Sequence, residues 1–276
     1  MMRNTDKIDA GGFTKMGLFN FENDAYLSSN IEGKKLKLIK KEKWSDFNSF
    51  ILGMGDISEN SIEKNVICAF FDLESFTRLC NQIDPDLVIP VFLKKYLDWF
   101  FDQIQNETKE KEYNEGIDTW HDLPFFIKFL GDGLLVLWDI SKTSQIVQGN
   151  IILSCRNIVN SYSKSFYEKI KKIVVEPPKK LRCGITKGKV YSVGNGNDFV
   201  GQCINFASRL QKLPGITFAF SNRGIDLEIY FDEEVRKNYL IKMIEARGIG
   251  ENELVVILKK EFEEMNELDK EKYRDI

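Results

Sequence analysis

Apolar positions change their period several times along this chain, and each change marks an element. Val66–Phe71 is an unbroken apolar run of strand length. From Pro85 the residues Val88, Val91, Phe92, Tyr96, Trp99 and Phe100 recur at intervals of three and four, which predicts a long amphipathic helix. The charged stretch 107–115 reads as a loop. Phe125–Leu130 and Leu134–Trp138 read as two strands joined by a tight hairpin turn, Gly131-Asp132-Gly133. A second long helix, Ile146–Ile173, stops ahead of Pro177-Pro178. Leu181–Thr186 and Lys189–Val193 read as a further hairpin, and Asn195-Gly196-Asn197 turns the chain toward a short helix ending near Arg209. Thr217–Phe220 is a short strand, and Tyr239–Ala246 is expected to pair with Leu254–Leu258. The tail from Glu261 is charged and helical in pattern.

The first 30 residues are polar, contain glycine and show little periodicity, as expected of a loosely packed lead-in. Ile31 to Gly55 carries a lysine-rich strand or helix, then Trp44, Phe47, Phe50 and Ile51 at helical spacing. That face suits packing on the main domain or on a partner chain. The expected organisation is an N-terminal extension at 1–60, a main domain at 61–260 and a charged tail at 261–276. Strand, helix, hairpin, helix, hairpin is an α+β order: a mostly antiparallel sheet with helices on one face.

Composition narrows the function. The chain has 276 residues, 43% hydrophobic and 29% charged, with a formal charge of −3, an ordinary profile for a soluble globular protein. Such a charge gives no field that draws in nucleic-acid polymers or anionic lipid. No apolar run approaches the roughly 20 residues that span a bilayer, and residues 1–30 lack a signal-peptide layout. The five cysteines, Cys68, Cys80, Cys155, Cys183 and Cys203, are odd in number and form no C-x-x-C pair. They read as reduced thiols of a cytoplasmic protein. The single histidine, His121, lies in a polar stretch and reads as a loop residue. Histidine-based triads and His/Cys zinc sites are thereby starved of members, so a metal here is a hard cation held by oxygen.

Two acidic turns and one helix carry the candidate chemistry. Asp72 follows the first apolar strand and Asp132 sits in the hairpin turn. If that strand lies beside the hairpin, the two carboxylates share an edge, where they repel unless a divalent cation separates them. Aspartate is also a routine turn residue, so each alone has a purely structural reading. Leu73-Glu74-Ser75-Phe76-Thr77 leads into a helix whose first free amides suit phosphate oxygens, or merely a Ser/Thr cap. Asn205 and Arg209 stand one turn apart on one helix face, with Ile204, Phe206, Ala207 and Leu210 opposite. An amide and a guanidinium so placed can hold a ribose and a phosphate, although a surface carboxylate would also satisfy the arginine. Gly194-Asn195-Gly196 is not a dinucleotide fingerprint, because no G-x-x-G follows.

Taken in order, Phe71-Asp72-Leu73-Glu74-Ser75-Phe76-Thr77, Lys128 to Gly133, Gly184-Ile185-Thr186-Lys187-Gly188 and Gly201 to Arg209 resemble the four signature blocks of class III nucleotidyl cyclases. The likeness covers roughly residues 66–258, the catalytic region. It implies a ferredoxin-like βαββαβ core that pairs head to tail as a homodimer, with sites at the interface. It also implies that Asp72 and Asp132 bind two divalent ions (Mn²⁺ or Mg²⁺), with the Leu73 carbonyl as an added ligand. Asn205 would orient the ribose and Arg209 would stabilise charge at phosphorus. Lys128 and Asp198 stand at the base-reading positions, Phe70 where an apolar side chain touches the base, and Phe76 and Thr77 in the phosphate turn. Ser75 replaces the family's usual glycine. Near the C-terminus only Arg247 stands close to a phosphate-binding lysine of many relatives.

Lys128 and Asp198 argue for adenine. A closer resemblance points elsewhere. Residues 180–185, 190–194, 201–213 and 218–224 look like the bacterial pyrimidine cyclases of Pycsar antiphage systems, stand-alone cyclases whose cyclic UMP or cyclic CMP activates a separate effector protein. That likeness favours UTP over CTP or ATP. A catalytically silent nucleotide-binding homologue is the other reading; such relatives usually lose a metal carboxylate or the Asn/Arg pair, and this chain keeps all four.

Overall fold

The computed structural model describes residues 27–31, 34–38, 61–114, 117–120, 123–194 and 198–276. The chain divides into two compact units, residues 1–60 with 193–197, and residues 61–192 with 198–276. In the first unit, β1 (Leu27–Ile31) and β2 (Lys34–Leu38) form an antiparallel hairpin, Leu27 opposite Leu38, so the lysine-rich segment is a strand. The apolar face expected at Trp44–Ile51, His121 and the Asn195-Gly196-Asn197 turn lie outside the described residues.

The second unit is built on β3 (Glu63–Leu73), which runs down the middle of an eight-stranded sheet. After β3 come α1 (Phe76–Cys80), α2 (Pro85–Thr108) and a small separate hairpin of β4 (Lys109–Asn114) and β5 (Ile117–Trp120). This hairpin replaces the loop expected at 107–115. Next are β6 (Phe126–Phe129) and β7 (Gly133–Asp139), then α3 (Gln145–Ser161), which passes through a π-helical turn at Tyr162–Phe166 into α4 (Tyr167–Ile170). β8 (Leu181–Val193) returns along β3. In the sheet these strands lie in the order β8-β3-β7-β6, all antiparallel. With α2 and α3 as the two crossovers, that is the ferredoxin-like βαββαβ core. β9 (Asp198–Val200) pairs with β8, α5 (Gln202–Leu210) crosses over, and β10 (Phe218–Ser221) joins β8 in parallel. Beyond two short turns, α6 (Leu227–Tyr230) and α7 (Glu233–Arg236), the hairpin of β11 (Tyr239–Ala246) and β12 (Gly250–Leu258) completes the sheet. The chain closes with α8 (Lys259–Glu264) and α9 (Glu267–Lys270).

Two expectations change here. Leu181–Val193 is one continuous strand rather than a hairpin, paired with β3 from Leu73–Leu181 to Glu63–Tyr191. Gly188 is no turn residue; it lies under α5, where a Cβ would come 2.9 Å from that of Cys203. Helices also cover both faces of the sheet. Ile67, Ala69 and Phe71 face a core with Phe92, Tyr96 and Phe100 of α2 and Ile152, Cys155 and Ile158 of α3. Val66 and Cys68 face the opposite way, toward Cys203 and Ala207 of α5. A strand buried on both sides needs apolar residues at every position, which is why the Val66–Phe71 run does not alternate. On the α2 side, Phe71 meets Phe100 edge to face at 5.0 Å, and the Tyr162 hydroxyl donates to the Pro178 carbonyl at 2.6 Å.

Candidate active site

β3 ends where β7 begins, and this junction joins the two acidic turns. Asp72 pairs across the sheet with Gly133, and the Leu73 amide donates to the Asp132 carbonyl at 3.1 Å. The turn closes with the Leu130 amide donating to the Gly133 carbonyl at 2.8 Å, and Gly131 takes φ +87, which an L side chain resists. Gly133 leaves no room for a side chain, since a Cβ would lie 2.5 Å from the Phe71 carbonyl oxygen. Asp72, Leu73 and Asp132 are thus brought to one sheet end.

Asp72 is buried, and on its other side β8 places Arg182 directly opposite, with a guanidinium nitrogen donating to the carboxylate. Burial pushes the Asp72 pKa up, Arg182 pulls it down, the charge of Asp132 raises it again, and Lys212 lowers it slightly; the net direction is upward. A carboxylate held in this way gains from further positive charge. Among the described residues no group of three or more His, Cys, Asp or Glu side chains could enclose a metal. Two carboxylates fit a hard divalent cation whose remaining ligands are water and phosphate oxygens, the usual manner for magnesium.

The segment expected to form a phosphate turn joins β3 to α1. Ser75 has φ 65 and ψ 28, the left-handed conformation that glycine adopts freely, and its side chain caps nothing. The Phe76 side chain lies in the core, its ring 6.1 Å from that of Phe92. Thr77 is exposed beside it.

Phe70 is half-buried and, like Phe126 of β6 and Ile204 of α5, packs against the buried cluster that contains Val66, Cys68 and Leu135. Lys128 and Asp198 pair with each other, both about 40% exposed, and the second carboxylate oxygen of Asp198 accepts from the Phe199 amide at 2.9 Å. Phe199 packs edge-on against Phe125 and Phe126 at 5.4 and 5.0 Å, which fixes β9 against β6.

α5 buries Cys203, Phe206, Ala207 and Leu210 and presents Asn205 and Arg209 outward. Its seat on β8 is set by Gly184: a Cβ there would lie 2.3 Å from the Ala207 carbonyl oxygen and 2.5 Å from the Gln211 nitrogen. The Thr186 hydroxyl donates to the Cys203 carbonyl at 2.8 Å and adds a second anchor. Among the described residues no hydrogen bond or ion pair links Asn205 or Arg209 to Asp72 or Asp132. Arg209 instead opens onto a cavity of about 660 Å³ that Arg247 also lines. Arg182 and Lys212 carry charge at this site without having been given a role from sequence. Arg182 becomes legible only through the β3–β8 register; Lys212, three residues beyond Arg209, shares its helix face by spacing alone.

No family model matches this sequence, and no curated protein matches it. Solved structures do. The guanylyl cyclase Cya2 superposes with a TM-score of 0.53 at 17% identity, over 72% of this chain and 93% of that one. A bacterial light-regulated adenylyl cyclase gives 0.50 at 14% identity, over 77% of this chain and 57% of that one. The chain therefore has the α+β fold of the class III cyclase domains.

Proposed function

We propose that this chain is a nucleotidyl cyclase that converts UTP to 3′,5′-cyclic UMP and diphosphate, a second messenger that acts on a separate effector protein in antiphage defence. The cyclase reading rests on one observation: two aspartates adjoin at the end of β3 in a cyclase fold, while a single exposed helix face carries the amide and guanidinium such a reaction needs; UTP and the antiphage role rest on the resemblance of residues 180–185, 190–194, 201–213 and 218–224 to pyrimidine cyclases.

Asp72 and Asp132, with the Leu73 carbonyl, would hold two divalent cations, manganese or magnesium, which activate the ribose 3′-hydroxyl and neutralise phosphate charge when bound. Asn205 orients the ribose so that this hydroxyl lies in line with the α-phosphorus. Arg209 donates to the oxygens on that phosphorus as their charge grows in the transition state. No histidine is required, which suits a chain with one. A head-to-tail homodimer supplies Asp72 and Asp132 from one protomer and Asn205 and Arg209 from its partner, giving two equivalent sites. Phe70 packs against the base, with the Lys128–Asp198 pair presenting a donor and an acceptor to its edge. That pair also supports ATP as a second substrate reading, with CTP beside it.

The test is to incubate the protein and Mn²⁺ with each of the four ribonucleoside triphosphates and identify products by mass spectrometry. Cyclic UMP is the expected main product; cyclic AMP or cyclic CMP in its place rejects the uridine assignment, and no cyclic product from any substrate rejects the enzyme. Asp72→Ala and Arg209→Ala proteins are each expected to be inactive and to regain activity when mixed. Failure to recover, with subunit exchange verified, refutes a shared site.

A further inference from the structure

Two thiols meet where α5 crosses the sheet. Cys68 of β3 stands opposite Thr186 of β8, and the Thr186 hydroxyl holds the Cys203 carbonyl at 2.8 Å, which seats the first turn of α5 above this pair. Cys68 and Cys203 belong to one buried cluster with Val66, Val190 and Ala207, and their thiols are hydrogen-bonded to each other. Gly188, the next β8 position on the same face, has no side chain to part them: a Cβ there would lie 2.9 Å from the Cys203 Cβ and 3.5 Å from its Sγ.

The two thiols differ in reach. Cys203 lines a cavity of about 280 Å³, wide enough to admit a molecule the size of water or peroxide. Among the described residues no carboxylate lines it, and three cations do. Lys189 is paired with Glu63 at 2.7 Å and Arg223 with Glu253 at 2.9 Å. Lys187 meets neutral oxygens, Gln148 Oε1 at 3.0 Å and the Tyr230 hydroxyl at 2.7 Å, so its charge is left uncancelled. The Cys203 thiol is drawn below its ordinary range, first by the hydrogen bond with Cys68 and then, against the effect of burial, by the Ile204 amide and its own. Cys68 has no exposed surface, and burial pushes its thiol well above that range. The thiolate is the nucleophile, so Cys203 is the member of the pair that reacts first. Cys155 and Cys183 also contact each other, but both are fully buried in the core on the opposite face.

We propose that Cys203 is a peroxide-reactive thiol whose oxidised form Cys68 resolves as a disulfide between β3 and α5. The Cys203 thiolate attacks one oxygen of hydrogen peroxide. An S–O bond forms, the O–O bond breaks, and the departing hydroxide leaves as water with the proton the thiol released. Sulfur is oxidised to a sulfenic acid and the peroxide is reduced. Cys68 then attacks that sulfur while its own proton passes to the departing hydroxyl; an S–S bond forms, the S–O bond breaks, and a second water leaves. Two thiols and one peroxide give one disulfide and two waters. The bond fastens to the sheet the helix that carries Asn205 and Arg209. Its formation needs no turnover of nucleotide, so the proposal stands apart from the cyclase reading.

The test is to expose the reduced full-length protein to hydrogen peroxide, block the remaining thiols with N-ethylmaleimide, digest with trypsin without reductant, and identify the peptides by mass spectrometry. Cys68 and Cys203 fall in separate tryptic peptides, 65–78 and 190–209. These two are expected to appear joined, to separate on adding dithiothreitol, and to be consumed roughly tenfold faster than the peptides of Cys155 and Cys183. In Cys68→Ala the oxidation should stop at the sulfenic acid, so that dimedone labels Cys203 more heavily than in the parent protein. In Cys203→Ala the Cys68 thiol should stay reduced. Absence of the joined peptide from the parent protein overturns the proposal, whether or not either variant folds. So does a Cys203 that is oxidised no faster than Cys155, or one that joins a different cysteine.

Discussion

Placing one methyl group under α5 should disturb both stability and turnover. In Gly184→Ala the new Cβ would meet the Ala207 carbonyl oxygen at 2.3 Å, the Gln211 nitrogen at 2.5 Å and the Leu210 Cβ at 2.7 Å, against ordinary contacts of 3.4–4 Å. Two of these three are helix backbone, so no rotamer change relieves them and α5 must lift by about 1 Å. Gly184 does not have a positive φ, so the effect is steric and not conformational. Overpacking of this kind costs about 3 kcal/mol, the upper end of the usual range, because backbone is the obstacle. With a urea m-value near 3 kcal/mol/M the unfolding midpoint should fall by about 1 M. The lift also carries Asn205 and Arg209 away from their positions, and if they act as proposed, a displacement of about 1 Å is worth roughly a hundredfold in rate. Gly188→Ala supplies the comparison: its Cβ would meet the Cys203 Cβ at 2.9 Å and Sγ at 3.5 Å, a milder clash. Urea melts followed by circular dichroism, with turnover measured on the same preparations, check both parts. A Gly184→Ala protein with an unchanged midpoint, or one more stable than Gly188→Ala, refutes the packing argument.

Other consequences are simpler to read out. Ser75→Gly removes the left-handed strain of an exposed residue whose hydroxyl caps nothing, so the protein should gain about 1 kcal/mol. Its melting temperature should rise by about 2–4 °C in calorimetry, and a fall contradicts the assignment. Asp139 is held down to about 2 by the Lys64 ammonium at 2.5 Å, assisted by the Ser141 hydroxyl. A depressed carboxylate stabilises the fold in full above its ordinary pKa of 3.8 and loses that contribution as the pH falls from about 4 through 2. The pair is partly solvated, so the contribution is about 0.5–1 kcal/mol. Lys64→Met should therefore flatten the acid limb of the stability curve, and an identical limb in both proteins rejects the pairing.

Much of the fold was legible because its strands and helices differ in period. The β3, β6–β7 and β11–β12 segments and the long α2 and α3 helices follow from their apolar spacing. The β8 strand was not read as continuous, because Gly188 fell in the expected turn between Leu181–Thr186 and Lys189–Val193; its absent side chain makes room for Cys203 of α5, as that of Gly184 does for the α5 backbone, a long-range requirement with no local signature. For the same reason sequence could not say that α5 covers the second face of the sheet. Asp72 and Asp132 declared themselves as carboxylates at strand ends, and their adjacency depended on the β3–β7 pairing. Arg182 was hidden until β8 was in register with β3. Phe76 shows the opposite limit: its place in an expected phosphate turn concealed an aromatic ring that faces the core.

The Arg182–Asp72 pair separates assembly of the domain from its loading. A buried acid normally waits for its cation before the surrounding structure is secure, and proteins of that kind unravel when a chelator strips them. Here the neighbouring strand supplies an internal counter-charge during folding, so the sheet can close in a metal-poor compartment. If Asp72 holds a cation as proposed, supply of the ion would govern how fast each molecule works, while the number of intact molecules would stay constant.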